Sequence, residues 1–147
     1  MAAMARVWSG ERSQTAGAQA APRPGQRFLV AEDNPITRIA LQTLLEQAGF
    51  AVTLVEDGQA AAEAWAREPF DIILLDARMP VLDGLGATRE VRRQEAARSL
   101  PRIPIIGLIT DPRNAAQCEA CGMDATVTKP VRIEALLGAI EGVVAAD

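Results

Sequence analysis

The sequence predicts an α/β domain, a doubly wound parallel sheet of five strands with helices on both faces. Five short apolar runs, Phe28–Ala31, Ala51–Val55, Phe70–Leu75, Ile103–Ile109 and Ala125–Thr128, alternate with stretches of helical periodicity. Serial β-α units close into such a sheet through right-handed crossovers. The runs are rich in Val, Ile, Leu and Phe with little polar alternation, as strands buried on both faces are. Charges stand at their ends: Glu32 and Asp33 follow the first run, Asp76 the third and Lys129 the fifth. The carboxyl ends of parallel strands open onto one crevice, where ligands bind.

Each helix carries its own punctuation. Asn34-Pro35 supplies an N-cap and a first-turn proline, Ile36, Ile39, Ala40, Leu44, Leu45 and Ala48 recur at helical spacing, and Gly49 ends the segment. Asp57 caps a second helix that runs through alanines to Glu68 and stops at Pro69. A third follows Asp83-Gly84, with Arg92–Pro104 expected as a long, polar, proline-interrupted exit. Asp111-Pro112 opens a short fourth helix ended by Gly122. The last is expected over Val131–Val144, with Ile133, Leu136, Leu137, Ile140 and Val144 on one stripe and the small residues Ala135, Gly138, Ala139 and Gly142 on another.

The 147 residues suffice for one domain and a tail. From Ser9 to Gln26 the sequence is mostly Ala, Gly, Gln, Ser and Pro without apolar periodicity, which predicts a disordered tail or linker over residues 1–26 before a body at residues 27–147. No apolar run approaches the ~18 residues of a membrane helix, and no signal peptide opens the chain, so no membrane and a cytoplasmic address are expected. Net charge is −4; the first 26 residues hold three arginines against Glu11, leaving the body near −6. An acidic body without a basic stripe argues against nucleic acid as a partner. Cys118 and Cys121 form a C-x-x-C, but the chain has no histidine and no other cysteine to complete a zinc site. The pair also precedes a helix end instead of opening a helix, so two small, semi-buried residues are expected.

Carboxylates crowded at one sheet edge either hold protons or recruit a cation. Oxygen ligands without nitrogen or sulfur point to Mg2+, which takes one or two carboxylates and a phosphate oxygen and keeps several waters. Asp76 sits on the central strand, where its carboxylate can attack phosphorus, and Lys129 can offset charge on the transferred group. The chain has fourteen arginines and one lysine, Lys129. A compact, flexible ammonium is what this place selects.

Together, Glu32-Asp33-Asn34-Pro35, Asp76-Ala77-Arg78-Met79-Pro80 with Asp83-Gly84, Gly122-Met123-Asp124 and Lys129-Pro130 resemble the receiver domain of response regulators in two-component signalling, over roughly Arg27 to Ala145. The resemblance implies a flavodoxin-like strand order 2-1-3-4-5. It implies Asp76 as phosphoacceptor, Mg2+ held by Asp33, Asp76 and the Arg78 carbonyl with Glu32 orienting metal-bound water, Lys129 on the phosphoryl group, and a cis Lys129-Pro130 bond. It further implies a phosphorelay in which a histidine kinase or histidine phosphotransfer protein supplies the phosphoryl group. The chain lacks histidine, so the donor acts in trans. The chain is then no enzyme beyond its own phosphorylation and dephosphorylation. With no further segment after the fifth helix, its output is expected through a downstream protein effector.

Two positions depart from the family pattern. Receivers usually end the fourth strand on Ser or Thr near the phosphate and place an aromatic residue three before the lysine. Gapless alignment puts Ile109 at the first position, so that Thr110 serves as phosphate ligand only if strand or loop shifts by one. Thr126 holds the second. These are the expected switch positions. The departures favour a competing reading, a phosphorylation-independent pseudo-receiver that binds partners; a receiver cut from a hybrid histidine kinase is another. A dehalogenase-type phosphatase wants a second acid where Arg78 stands, a flavodoxin a Ser/Thr/Gly phosphate loop after the first strand, and a cobalamin module a histidine.

Overall fold

The computed structural model describes residues 25–79 and 81–145. The expected tail lies outside the described residues up to position 24, as does Pro80 of the motif after Asp76. Gln26, assigned to the tail, belongs to the body: it is buried, its carbonyl accepts from Ala51 N at 3.0 Å, and Gly25 N donates to the Gly49 carbonyl at 2.8 Å.

Strands and helices alternate as β1 (Arg27–Ala31), α1 (Pro35–Gln47), β2 (Ala51–Val55), α2 (Gly58–Arg67), β3 (Ile72–Asp76), α3 (Gly84–Arg98), β4 (Ile105–Ile109), a 3-10 turn (Pro112–Asn114), α4 (Ala115–Cys121), β5 (Ala125–Thr128) and α5 (Ile133–Ala145). The five strands form one parallel sheet in the order β2-β1-β3-β4-β5. Because side chains alternate along a strand, β1 sends Leu29 and Ala31 to one face and Phe28 and Val30 to the other. The first pair packs with Ala61, Ala64, Ala87, Val91, Cys118 and Met123 from α2 to the α4–β5 turn, and the second with Leu41, Leu45, Leu136 and Ile140 of α1 and α5. Among the described residues no helix is long and apolar enough to cross a membrane.

The helix starts obey the capping chemistry. Asn34 Oδ1 accepts from Ile36 N (2.9 Å) and Thr37 N (3.1 Å), Asp57 from Ala60 N (2.8 Å) and Asp83 from Gly86 N (2.8 Å). Elsewhere the boundaries move. Asp76 is the last residue of β3, paired with Leu108, rather than the residue after it. β4 begins at Ile105, since Pro104 has no N–H for the ladder. The fourth helix opens as a 3-10 turn and α5 begins at Ile133. The largest correction concerns Arg92–Pro104: α3 continues to Arg98, because Arg92 and Glu95 turn inward and are paired there.

Two glycines bring loops close to the strand exits. A Cβ on Gly84 would collide with the Asp76 carbonyl oxygen, so the first turn of α3 can rest directly on the end of β3. A Cβ on Gly58 would collide with the Leu82 carbonyl, which accepts from Gly58 N at 2.8 Å and ties the β3–α3 loop to α2.

Candidate functional site

Three strand exits converge on a small acidic cleft. Where β1 ends, Glu32 N donates to the Val55 carbonyl (3.2 Å), and its fully buried side chain turns inward, Oε2 accepting from Asn34 N at 3.1 Å. Asp33, next along, is exposed at the mouth. From the central strand comes Asp76, whose side chain is 8% exposed; its Oδ1 accepts from Arg78 N at 3.1 Å and its Oδ2 from Lys129 Nζ at 2.7 Å. Lys129 reaches this point because its own N–H donates to the Ile109 carbonyl at 2.7 Å, fastening the exit of β5 to that of β4; the Lys129-Pro130 bond is cis.

The electrostatics follow from burial. Desolvation pushes the Glu32 carboxyl above its ordinary pKa; Lys129 and the Asn34 N–H pull it down, but Asp76 repels the same charge, and the net direction is upward. Burial opposes the Lys129 ammonium as well, yet the Asp76 and Glu32 carboxylates outweigh it and hold the amine above its usual range. Glu32 Oε1 lies 3.0 Å from Lys129 Nζ, close enough for an ion pair but without hydrogen-bond geometry. It is a fully buried carboxylate oxygen with no hydrogen bond.

That spare acceptor bears on the metal. Glu32, Asp33 and Asp76 each offer a carboxylate oxygen, all within 4.8 Å of one another. One ammonium against three carboxylates leaves negative charge and unspent lone pairs, and an all-oxygen donor set of this kind suits a hard divalent cation. The residues present fit the group.

Of the remaining candidates, Ile109 is buried and ends β4 in register with Thr128, and Thr110 stands exposed just beyond. Thr126 is half-buried beside the β4 position Gly107, and the space above that glycine is taken by the Met123 thioether. Cys118 is buried and Cys121 half-buried, both with free thiols whose pKa burial raises. They pack, as expected.

A second charged cluster sits at the opposite, amino-terminal ends of β4 and β5. Arg92 donates from Nε to the Gly122 carbonyl (3.0 Å), from Nη1 to the Ile103 carbonyl (2.9 Å) and Glu95 Oε1 (2.8 Å), and from Nη2 to Asp124 Oδ2 (2.8 Å). Glu95 Oε2 accepts from Ile103 N (2.7 Å) and Asp124 Oδ2 from Ile105 N (2.9 Å). Donors and acceptors are spent on one another, so this knot joins α3, β4, α4 and β5 instead of binding a ligand.

Comparison with known proteins agrees with this layout. The chain is 40% identical over 110 residues to the sensor protein GacS of Pseudomonas syringae pv. syringae, an alignment covering 71% of this chain and 12% of GacS; the chain thus spans about an eighth of that relative. Among solved structures, the receiver domain of the sensor histidine kinase PA1611 from Pseudomonas aeruginosa PAO1 is 38% identical with a TM-score of 0.73, covering 82% of this chain and 98% of that one; that protein has a magnesium ion coordinated in its active site cleft. A chain of the co-crystal structure of the Saccharomyces cerevisiae histidine phosphotransfer protein Ypd1 with the receiver domain of its downstream response regulator Ssk1 is 25% identical with a TM-score of 0.77, covering 82% and 89%. The family model for the response regulator receiver domain matches residues 28–141, a span that takes in nearly all of the described sheet and helices. The chain therefore belongs to the response regulator receiver domain family and is homologous to the receivers of hybrid sensor histidine kinases.

Proposed function

We propose that the chain accepts a phosphoryl group on Asp76 from a phosphohistidine of a histidine kinase or histidine phosphotransfer protein. What carries this reading is the placement of the Asp76 carboxylate at the end of the central strand, 2.7 Å from the Lys129 ammonium and beside two further acids. In the transfer, an Asp76 oxygen forms a P–O bond as the P–N bond to the donor imidazole breaks, and the electron pair of that bond leaves with the imidazole. Lys129 moves from pairing with a carboxylate to pairing with phosphoryl oxygens, positioned before the reaction begins. Asp33, Asp76 and the Arg78 carbonyl would hold Mg2+, with Glu32 orienting its bound water, and the ion would supply positive charge against the phosphoryl oxygens.

Three exposed large hydrophobics accompany the site: Ile36 and Ile39 on α1 just past the acids, and Val81 in the β3–α3 loop. Apolar side chains beside a charged cleft suit a protein donor better than a small-molecule one. The chain acts on itself and passes the signal to a downstream protein. Because GacS and PA1611 carry the matching segment within sensor proteins, a sensor histidine kinase that contains this segment is one candidate donor of the phosphoryl group. Incubation with a histidine-phosphorylated phosphotransfer domain is expected to move label onto this chain and off the donor; label retained on the donor would count against the reading.

Magnesium is expected to stabilise the fold, because it meets assembled carboxylates only in the folded state. At a free concentration 100 times its Kd the gain is about 2.7 kcal/mol. Asp33→Ala, which removes an exposed acid and no core contact, should erase most of it. Thermal melts of both proteins with and without the cation check this; equal shifts would show that the acids hold no metal.

A further inference from the structure

Phosphorylation changes the charge of the cleft, and the residues so far assigned do not balance it. Glu32, Asp33 and Asp76 contribute three negative charges, which Lys129 and a divalent cation match. Converting the Asp76 carboxylate to an acyl phosphate replaces one negative charge by about two. One more positive group is then called for, and a hydrogen-bond donor as well, since Ile109 ends β4 with an apolar side chain and Thr110 lies exposed beyond it. Arg38 is half-buried and gives Nη1 to the Glu32 carbonyl at 2.9 Å, and Arg113 is bound to Asp111 at 2.8 Å.

Arg78 is differently placed. Its backbone N–H donates to Asp76 Oδ1 at 3.1 Å, which fixes its Cα beside the acceptor carboxylate, while the residue is exposed and its guanidinium has no hydrogen bond or ion pair among the described residues. A long, unspent cation is thus anchored at its root to the atom that takes the phosphorus. We propose that the Arg78 guanidinium is a phosphoryl-binding group, folding over Asp76 to donate to the terminal phosphoryl oxygens and to supply the missing charge. A planar fork of N–H donors matches tetrahedral phosphoryl oxygens in pairs. The contact is made only with the phosphoryl group present. This inference rests on Asp76 being the acceptor.

The test compares wild type, Arg78→Met and Arg78→Lys in phosphorylation by acetyl phosphate with magnesium, followed by intact mass over time, alongside magnesium-dependent thermal stabilisation of each. Arg78→Met keeps an unbranched, flexible side chain without the charge and should lower the rate constant about fivefold at low salt, the size of a partly exposed charge contact. Arg78→Lys should recover part of the loss, and the gap should narrow as ionic strength rises. Stabilisation by magnesium should be the same in all three, because the Arg78 side chain is not among the groups proposed to hold the metal. Equal rates for wild type and Arg78→Met would overturn the proposal while leaving Asp76 as acceptor. A loss in Arg78→Met that lysine does not relieve, together with weaker magnesium stabilisation, would also overturn it by assigning the effect to a disturbed loop. A wild-type chain that gains no phosphoryl group would overturn the receiver reading itself, and this inference with it.

Discussion

Asp76→Asn is expected to abolish phosphorylation by both acetyl phosphate and phosphohistidine donors. The amide is a poor nucleophile toward phosphorus, and its neutral oxygen is a weaker metal ligand than a carboxylate. The fold should survive. Asp76 is the last residue of β3, its main chain pairs with Leu108 whatever the side chain, and the amide oxygen can still accept from Arg78 N or Lys129 Nζ. Relieving repulsion against the buried Glu32 should offset part of what the Lys129 pair loses, since Asp76 is one of the groups that raises the Glu32 pKa. The readout is intact mass before and after acetyl phosphate, with urea denaturation to verify folding. Label appearing on the mutant at the wild-type rate would move the acceptor to another residue.

The largest loss of stability is expected far from the cleft, at Arg92. Its side chain is 13% exposed and holds Glu95, which is 7% exposed, as well as Asp124 and the Ile103 and Gly122 carbonyls. Removing one partner of a buried pair leaves the other charged and unpaired, at a cost of about 3–5 kcal/mol. Arg92→Ala should therefore shift the urea midpoint strongly, whereas Arg93→Ala, next along the helix on a 66% exposed side chain, should leave it nearly unchanged. The double substitution Arg92→Met with Glu95→Leu should recover only a minor part of the loss, because it removes the unpaired charge but leaves the Ile103 N–H and the Ile103 and Gly122 carbonyls without these partners. A single Arg92→Ala midpoint close to wild type would show that the knot is not a structural joint.

The contrast between the two sites explains what the sequence made legible. The cleft residues announce themselves because each sits at the end of an apolar run, so periodicity locates the exit and the charge marks it. Capping by Asn34, Asp57 and Asp83 is equally local, decided within three residues of each helix start. Arg92 carries no such mark. A charged residue within a polar helix reads as solvated, and its burial depends on partners 11, 30 and 32 positions away in Ile103, Gly122 and Asp124. That is why Arg92–Pro104 looked like an exit when half of it is helix. The end of β4 at Ile109 likewise depends on strand register, which is set by the pairing of Ile109 with Thr128 across the sheet and not by anything adjacent in sequence. The packing role of Met123 is non-local in the same way, because the space it fills is left by Gly107 on a different strand.

The central claim is that these convergent charges form a phosphoryl acceptor at one residue. The most direct measurement is the intact mass of the wild-type chain after acetyl phosphate with magnesium, followed by peptide mapping after borohydride reduction of the acyl phosphate. The account predicts the gain of one phosphoryl group, dependent on magnesium and located on Asp76. No gain in mass under those conditions, or a gain located on any other residue, would contradict it.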